Sequence, residues 1–318
     1  MNLMQKISFY KKNGTLKIKI AATLKYRLNS FLISFPYRLI FARRSAENRI
    51  FYDNWKFYSV LKFRMRNTVR TLPPYSCPKK NAPKIIWWCW LQGEENAPNL
   101  CKACLESLRR NLSDFEIRVI TEKNIWNYIS VPDFIKEKYK NGTISRTHFS
   151  DILRTCLLVE HGGTWIDSTV YCTGYRNNVL TLPLFYFSNI KRGDDSILFS
   201  NWMISSCKAH PVLKAIQTLL FDYWKKHNRL YHYFIYHFFA TMVLEHYPET
   251  GRTVPVFSNI PPHVMQDELF VPYSKERFAQ YCLMSDFHKL TYKFDSGRDF
   301  TGTVYEYICK EAEKRETV

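Results

Sequence analysis

The sequence predicts an α/β sandwich built on a largely parallel sheet. Two observations lead there. Short apolar runs and longer segments of helical period follow one another as strand, helix, strand, helix, helix, strand from residue 84 to residue 172. The chain has 318 residues, 46% hydrophobic and 23% charged, which suffices for a substantial core and excludes wholesale disorder. Ten Gly and 14 Pro are too few for a fibrous or low-complexity chain.

Residues 1–80 read as a basic, aromatic-rich leader of one or more helices, closed by the breaker cluster LPPYSCPKKNAP. The leader holds 18 of the 46 Lys and Arg and only two acids, Glu47 and Asp53, a balance of +16 out of the total of +18. The rest of the chain is nearly neutral, and no nucleic-acid-binding signature is present, so no nucleic acid is expected as a partner. FLISFPYRLIFA at 31–42 is too short to span a bilayer and is interrupted by Pro36 and Arg38. The first residues also lack the apolar core and cleavage site of a signal peptide. Basic residues interleaved with Leu, Ile, Phe and Tyr suit a helix lying on an anionic membrane surface. A solvated basic tail is the alternative. The expected location is cytoplasmic, peripheral on the inner face of the cell membrane.

A globular domain is expected over 81–318. KIIWWCW at 84–90 reads as a buried first strand, 98–112 as an amphipathic helix and EIRVI at 116–120 as a second strand. Segments 122–129 and 132–140 read as helices, and 145–160 as a long helix stopped by His161-Gly162-Gly163. TWIDSTVYC at 164–172 reads as one apolar strand carrying an acid. Further strands are expected at 184–188 and 202–206, and helices at 211–227, 231–246 and 301–314. The nine cysteines lack the spacing of a disulfide scaffold. Cys101 and Cys104 form a lone CxxC without the second pair that a zinc site needs, so reduced thiols are expected.

The chemistry concentrates in SDILRTCLLVEHGGTWIDST at 150–169. Asp151 and Arg154 share a helix face. The Gly pair permits a tight reversal, and the strand brings Asp167 to the edge where ligands of open α/β sheets gather. An acid between Ile166 and Val170 runs against strand preference. The same residues also fit a plain helix pair and a strand-end cap.

This segment resembles the donor-site signature of retaining GT-A glycosyltransferases: family 32, the large glucosylating toxins and the bacterial capsular polysaccharide synthesis enzymes. Ser150, Asp151, Arg154, Gly162, Gly163 and Asp167 stand at matching offsets, and Pro83, Lys84, Ile85, Ile86 and Trp90 match the family's opening motif. The capsular polysaccharide synthesis group is the closest match. The resemblance implies a GT-A-like nucleotide-sugar-binding fold. It also implies transfer of a sugar, retaining its configuration, to a polysaccharide or lipid-linked glycan.

The resemblance further implies roles for single residues. Trp90 stacks on the nucleotide base. Ser150, Asp151 and Arg154 hold the sugar. Asp167 positions Mn²⁺ or Mg²⁺ on the diphosphate, acting catalytically with Asp151 and Arg154. Thr169 stands where the family has a second acid and is a candidate metal ligand weaker than a carboxylate, with His288 or His263 as the candidate distant ligand and Lys289 and Thr291 on the diphosphate. A weaker metal requirement, and an inactive transferase-like domain serving as a peripheral membrane scaffold, are the alternatives that Thr169 leaves open.

Overall fold

A computed structural model describes residues 3–17, 20–21, 24, 46–189, 196–295 and 297–313. In chain order the strands are β1 (Ile85–Cys89), β2 (Glu116–Ile120), β3 (Gly163–Ile166), β4 (Val170–Cys172), β5 (Leu184–Ser188), β6 (Phe199–Ser206) and β7 (Phe287–Lys289). The longer helices are α1 (Leu3–Lys12), α2 (Ala46–Arg70), α3 (Asn99–Asn111), α4 (Asp133–Lys140), α5 (Arg146–Glu160), α6 (Pro211–Lys226), α7 (Ile235–His246), α8 (Lys275–Met284) and α9 (Val304–Glu313).

Five strands form the main sheet in the order β2–β1–β3–β6–β5. β1 pairs in parallel with β2 and β3, while β6 runs antiparallel to both β3 and β5. Four of the five strands therefore point the same way, as the alternation of strands and helices predicts. Side chains alternate across the sheet. Trp87 and Trp165 enter a core built with Phe149, Leu153 and Leu157 of α5 and with apolar residues of α6 and α7. Ile86, Trp88 and Ile166 face the opposite way, onto Cys101, Leu105 and Leu108 of α3. Helices cover both faces.

A second, two-stranded sheet pairs β4 antiparallel with β7. Its Tyr171 meets Leu100, Ala103 and Cys104 of α3 and Val304 and Ile308 of α9 in a third cluster. The run expected as one strand at 164–172 thus divides. β3 belongs to the main sheet and β4 to the small one, with a tight turn between them in which Val170 N donates to Asp167 O at 3.0 Å. The expected helix at 122–129 shrinks to a single turn at Ile125–Asn127. There Asn124 accepts from Thr121 N and donates to Val119 O, fixing a local turn that competes with helix. β6 begins at Phe199, ahead of the expected 202, and α8 and β7 lie where the sequence pattern predicts no element.

The leader expected over 1–80 is not separate in its second half. Tyr58, Leu61, Met65 and Leu72 are buried in the same core as Trp87 and Phe149. Lys62 Nζ pairs with Glu245 Oε2 at 2.5 Å, and Thr68 Oγ1 donates to Asp222 Oδ2 at 2.6 Å. The stretch 31–42 lies outside the described residues. Among the described residues no helix is long and apolar enough to cross a membrane. All nine cysteines are free. Cys101 and Cys104 are buried in α3, and burial pushes the Cys101 thiol up to about 12.

Candidate functional site

α5 starts where Ser145 Oγ accepts from His148 N, satisfying an orphan amide of the first turn. Its apolar stripe, Phe149, Ile152, Leu153, Cys156 and Leu157, fixes the rotation of the helix and presents Ser150, Asp151 and Arg154 together. The reversal into β3 needs glycine. Gly163 has φ +95°, and a Cβ there would lie 2.6 Å from Ile85 O. Trp87 Nε1 donates to Gly162 O at 2.8 Å and pins the same corner. β3 then hands the chain to Asp167, whose N donates to Trp202 O at 2.8 Å.

Arg154 and Asp167 meet at the carboxyl end of β3. Arg154 Nη1 is 3.3 Å from Asp167 Oδ1, and its Nη2 is 3.2 Å from Asp151 Oδ1. The guanidinium also donates to Ser150 O, Ser150 Oγ and Asn201 O, and lies 4.8 Å from the Trp165 ring centre. Asp151 Oδ1 accepts from Asn201 Nδ2 at 2.9 Å, and its Oδ2 lies 3.2 Å from His148 Nδ1. Asp167 Oδ1 accepts from Trp165 Nε1 at 2.8 Å. Lys289 Nζ, arriving from β7, donates to Asp167 Oδ2 at 3.0 Å and to Thr169 Oγ1 at 2.5 Å.

Charge is balanced within this group: Asp151 and Asp167 against Arg154 and Lys289. Burial opposes ionisation of Asp167. Lys289 and Arg154, with the Trp165 and Lys289 hydrogen bonds, overcome that penalty and hold the carboxyl below its ordinary range. Burial likewise opposes the charge on Arg154, but Asp167 and Asp151 raise its pKa further. Both groups stay ionised.

Of the residues expected at the site, Ser150, Asp151, Arg154, Asp167, Thr169 and Lys289 come together. Trp90 stands at the end of β1, half-buried, its ring 5.5 Å from that of Tyr292 in an edge-to-face contact. Thr291 lies apart, its hydroxyl accepting from Lys293 N.

The expectation for His288 fails on geometry. Strand alternation turns it away from Lys289, into the interior. It is fully buried there and engages Thr173 Oγ1 at 3.1 Å, and burial lowers its pKa to about 4. His263 packs on Trp202, with Nδ1 on Asn259 O.

The donor set around Asp167 does not fit the expected Mn²⁺ or Mg²⁺. A hard divalent cation wants several free oxygen ligands. Here both carboxylate oxygens are taken by cations or the indole N–H, and the second position offers the Thr169 hydroxyl, already bound to an ammonium. Among the described residues no cluster of three or more His, Cys, Asp or Glu could hold a metal.

Sequence reasoning passes over Asn201, Tyr233 and His237. Asn201 is the one amide side chain of β6, FSNWMISS, which was its only signal. His237 of α7 lies within the field of Asp151, Arg154 and Asp167, and burial first of all lowers its pKa to about 4. Partial desolvation of its hydroxyl and then the same two carboxylates raise the pKa of Tyr233.

Residues 38–308 match the model of a family described as capsular polysaccharide synthesis protein. Among solved structures the chain is similar to one described as PaToxG glycosyltransferase, at 15% identity and a TM-score of 0.38, over 63% of this chain and 80% of that one. It is also similar to a transferase mutant, at 12% identity and a TM-score of 0.34, over 65% of this chain and 96% of that one. No curated protein matches the chain.

Proposed function

Because the chain belongs to the capsular polysaccharide synthesis family, we propose that it is a glycosyltransferase that moves a sugar from a nucleotide-sugar donor to a growing surface polysaccharide. The observation that carries this reading beyond the family is the convergence of Asp151, Arg154, Asp167 and Lys289 at the carboxyl edge of the parallel strands, with an aromatic pair beside them. Such an edge offers directed donors for an anion and a flat surface for a base.

Trp90 and Tyr292 take the base of a UDP-sugar. Asp151, its carboxylate steadied by Asn201 and Arg154, accepts from sugar hydroxyls. Arg154 holds Asp167 and Asp151 in register, so the polar wall of the site is preorganised before the donor enters. In the transfer the bond from the anomeric carbon to the diphosphate oxygen breaks, and its electron pair leaves with the nucleoside diphosphate. The acceptor hydroxyl oxygen forms the new bond on the same face. Its proton passes to the departing phosphate oxygen, which accounts for retention without a protein nucleophile.

The acceptor is a capsular or other surface glycan on a lipid carrier, met at the inner face of the cell membrane. The basic N-terminal segment supports that placement. α1 exposes Met4 and Ile7 and ends in Lys11 and Lys12, an apolar and basic combination suited to anionic headgroups.

A thermal-shift screen against UDP-, GDP- and CMP-sugars tests the function, since a ligand of the native state raises the melting temperature by mass action. A shift with a UDP-sugar, followed by release of UDP when glycan acceptor is added, is the expected result. No shift with any of the three would leave an inactive scaffold as the better description.

A further inference from the structure

Resting on that reading, we propose that Lys289 is the fixed cation of the donor site, serving the diphosphate in place of a divalent metal, so that nucleotide binds without one. The ammonium occupies the place a bridging metal would need. It contacts Asp167 Oδ2 at 3.0 Å and Thr169 Oγ1 at 2.5 Å, spanning the first and third positions of the Asp-Ser-Thr turn with one positive charge.

The fold holds it there. Lys289 pairs with Val170 across the β4–β7 ladder, and Leu290 N donates to Thr169 O at 2.8 Å, so the lysine backbone is fastened to the turn it neutralises. Alternation along β7 sends His288 inward and leaves Lys289 the residue of that strand that enters the site.

Thr169 is the residue this arrangement needs. A hydroxyl accepts from the ammonium without adding charge, and the two acids are already matched by Arg154 and Lys289. A metal added to this set would meet two cations and no unengaged Asp167 oxygen. An ammonium has three N–H donors, of which Asp167 and Thr169 use two. The side chain keeps 21% of its surface exposed, so the third donor can reach a phosphate oxygen. As the donor's diphosphate leaves with an extra negative charge, this cation stabilises it without the reorganisation that free solvent would require.

Calorimetric titration of UDP into the full-length protein decides the matter, run once in EDTA and once in millimolar Mn²⁺. The dissociation constant is expected to agree within about threefold between the two, a difference of about 0.65 kcal/mol or less. Lys289→Met should weaken UDP binding by about a hundredfold, and Lys289→Arg should keep it within about tenfold, as a charge-assisted phosphate contact implies. Circular dichroism shows whether each variant is folded. If Lys289→Met does not fold, the EDTA and Mn²⁺ comparison on the parent still decides.

Binding that appears only with Mn²⁺ overturns the lysine proposal and leaves the glycosyltransferase reading standing. A folded Lys289→Met that binds like the parent overturns it as well. Failure of UDP, GDP and CMP alike to bind, with or without Mn²⁺, brings down both.

Discussion

Arg154 Nη1 lies 3.3 Å from Asp167 Oδ1, although a helix end, a glycine corner and a whole strand separate the two residues in the chain. The pair fixes the distance between α5 and the turn after β3. Because Arg154 also serves Asp151, Ser150 and Asn201, its fork determines the shape of the whole polar wall.

Arg154→Lys should therefore damage both activity and stability. Lysine keeps the charge but cannot make directed bonds to five oxygens at once. Leaving buried acceptors short of donors costs about 1–3 kcal/mol. Turnover of the nucleotide-sugar is expected to fall by about a hundredfold or more, alongside a lower urea midpoint. Near-normal turnover would show that the contacts are ornamental to the chemistry.

Gly163→Ala should be strongly destabilising. The methyl group would sit 2.6 Å from Ile85 O and 3.1 Å from Trp87 Nε1, on a backbone at φ +95° that L-residues avoid. A loss of about 3 kcal/mol or more is expected from strain and the forced shift of β1. Gly251→Ala, where nothing lies within 4 Å, serves as the control and should change little. Equal melting temperatures for the two variants would contradict the close approach of β1 and β3.

Acid should destabilise the fold before ordinary carboxylates titrate. His210 and His288 are buried, and burial lowers the pKa of each to about 4. His210 Nδ1 accepts from Val212 N at the start of α6, a role open only to the neutral ring. The unfolded chain takes up these protons near pH ~6.5, which the native state refuses until about pH 4. Stability therefore rises with pH through that window and falls as pH drops through it, by roughly 1.4 kcal/mol per group per pH unit. Asp167 adds a further loss at lower pH, as its depressed carboxyl is finally protonated. Urea midpoints at several pH values between neutrality and about pH 4.5 measure the slope, and His288→Gln should flatten it. A midpoint constant over that range would be incompatible with neutral buried imidazoles.

Two truncations should behave differently. Removing residues 1–44 should leave a folded body that no longer floats with anionic liposomes, each lost basic residue near the surface being worth ~1 kcal/mol. Removing 1–80 strips Tyr58, Leu61, Met65 and Leu72 from the core. Large-to-small losses there cost about 2–5 kcal/mol each, together comparable with the whole stability of a domain. The longer truncation is expected to be insoluble or unfolded by circular dichroism. Liposome binding unaffected by the shorter one would remove the membrane role of the leader.

Much of the sheet was legible because strands buried on both faces write continuous apolar runs. KIIWWC and LFYFS could be little else, and EIRVI keeps its alternation at the edge of the sheet. That Asp151, Arg154 and Asp167 meet was legible from spacing, because helix period and strand length carry them to one place. What failed was the run 164–172. Apolar pattern alone cannot show that a chain leaves one sheet for another, although the depletion of Asp in strands marks Asp167 as the place to break it. β7 was hidden by its three-residue length, and with it the partnership of Lys289 with Asp167, a contact across 122 positions. A boundary at residue 80 followed charge, but burial follows the apolar stripe of α2, which charge composition does not report.

The pairing of β4 with β7 also orders events in time. Its ladder joins Val170 to Lys289, 119 positions apart, whereas β1 meets β2 across 31 positions and β3 across 78. Closing the longest loop costs the most chain entropy, so the small sheet is expected to pair after the main sheet. A nascent chain emerging from the ribosome would hold Asp167 and Arg154 in place while Lys289 was still unsynthesised. The contact of Lys289 with Asp167 is thereby left unformed until β7 has been made. Hydrogen exchange should open the β4–β7 amides at a lower free energy than those of β1 and β3, as the last foldon to close is the first to come undone.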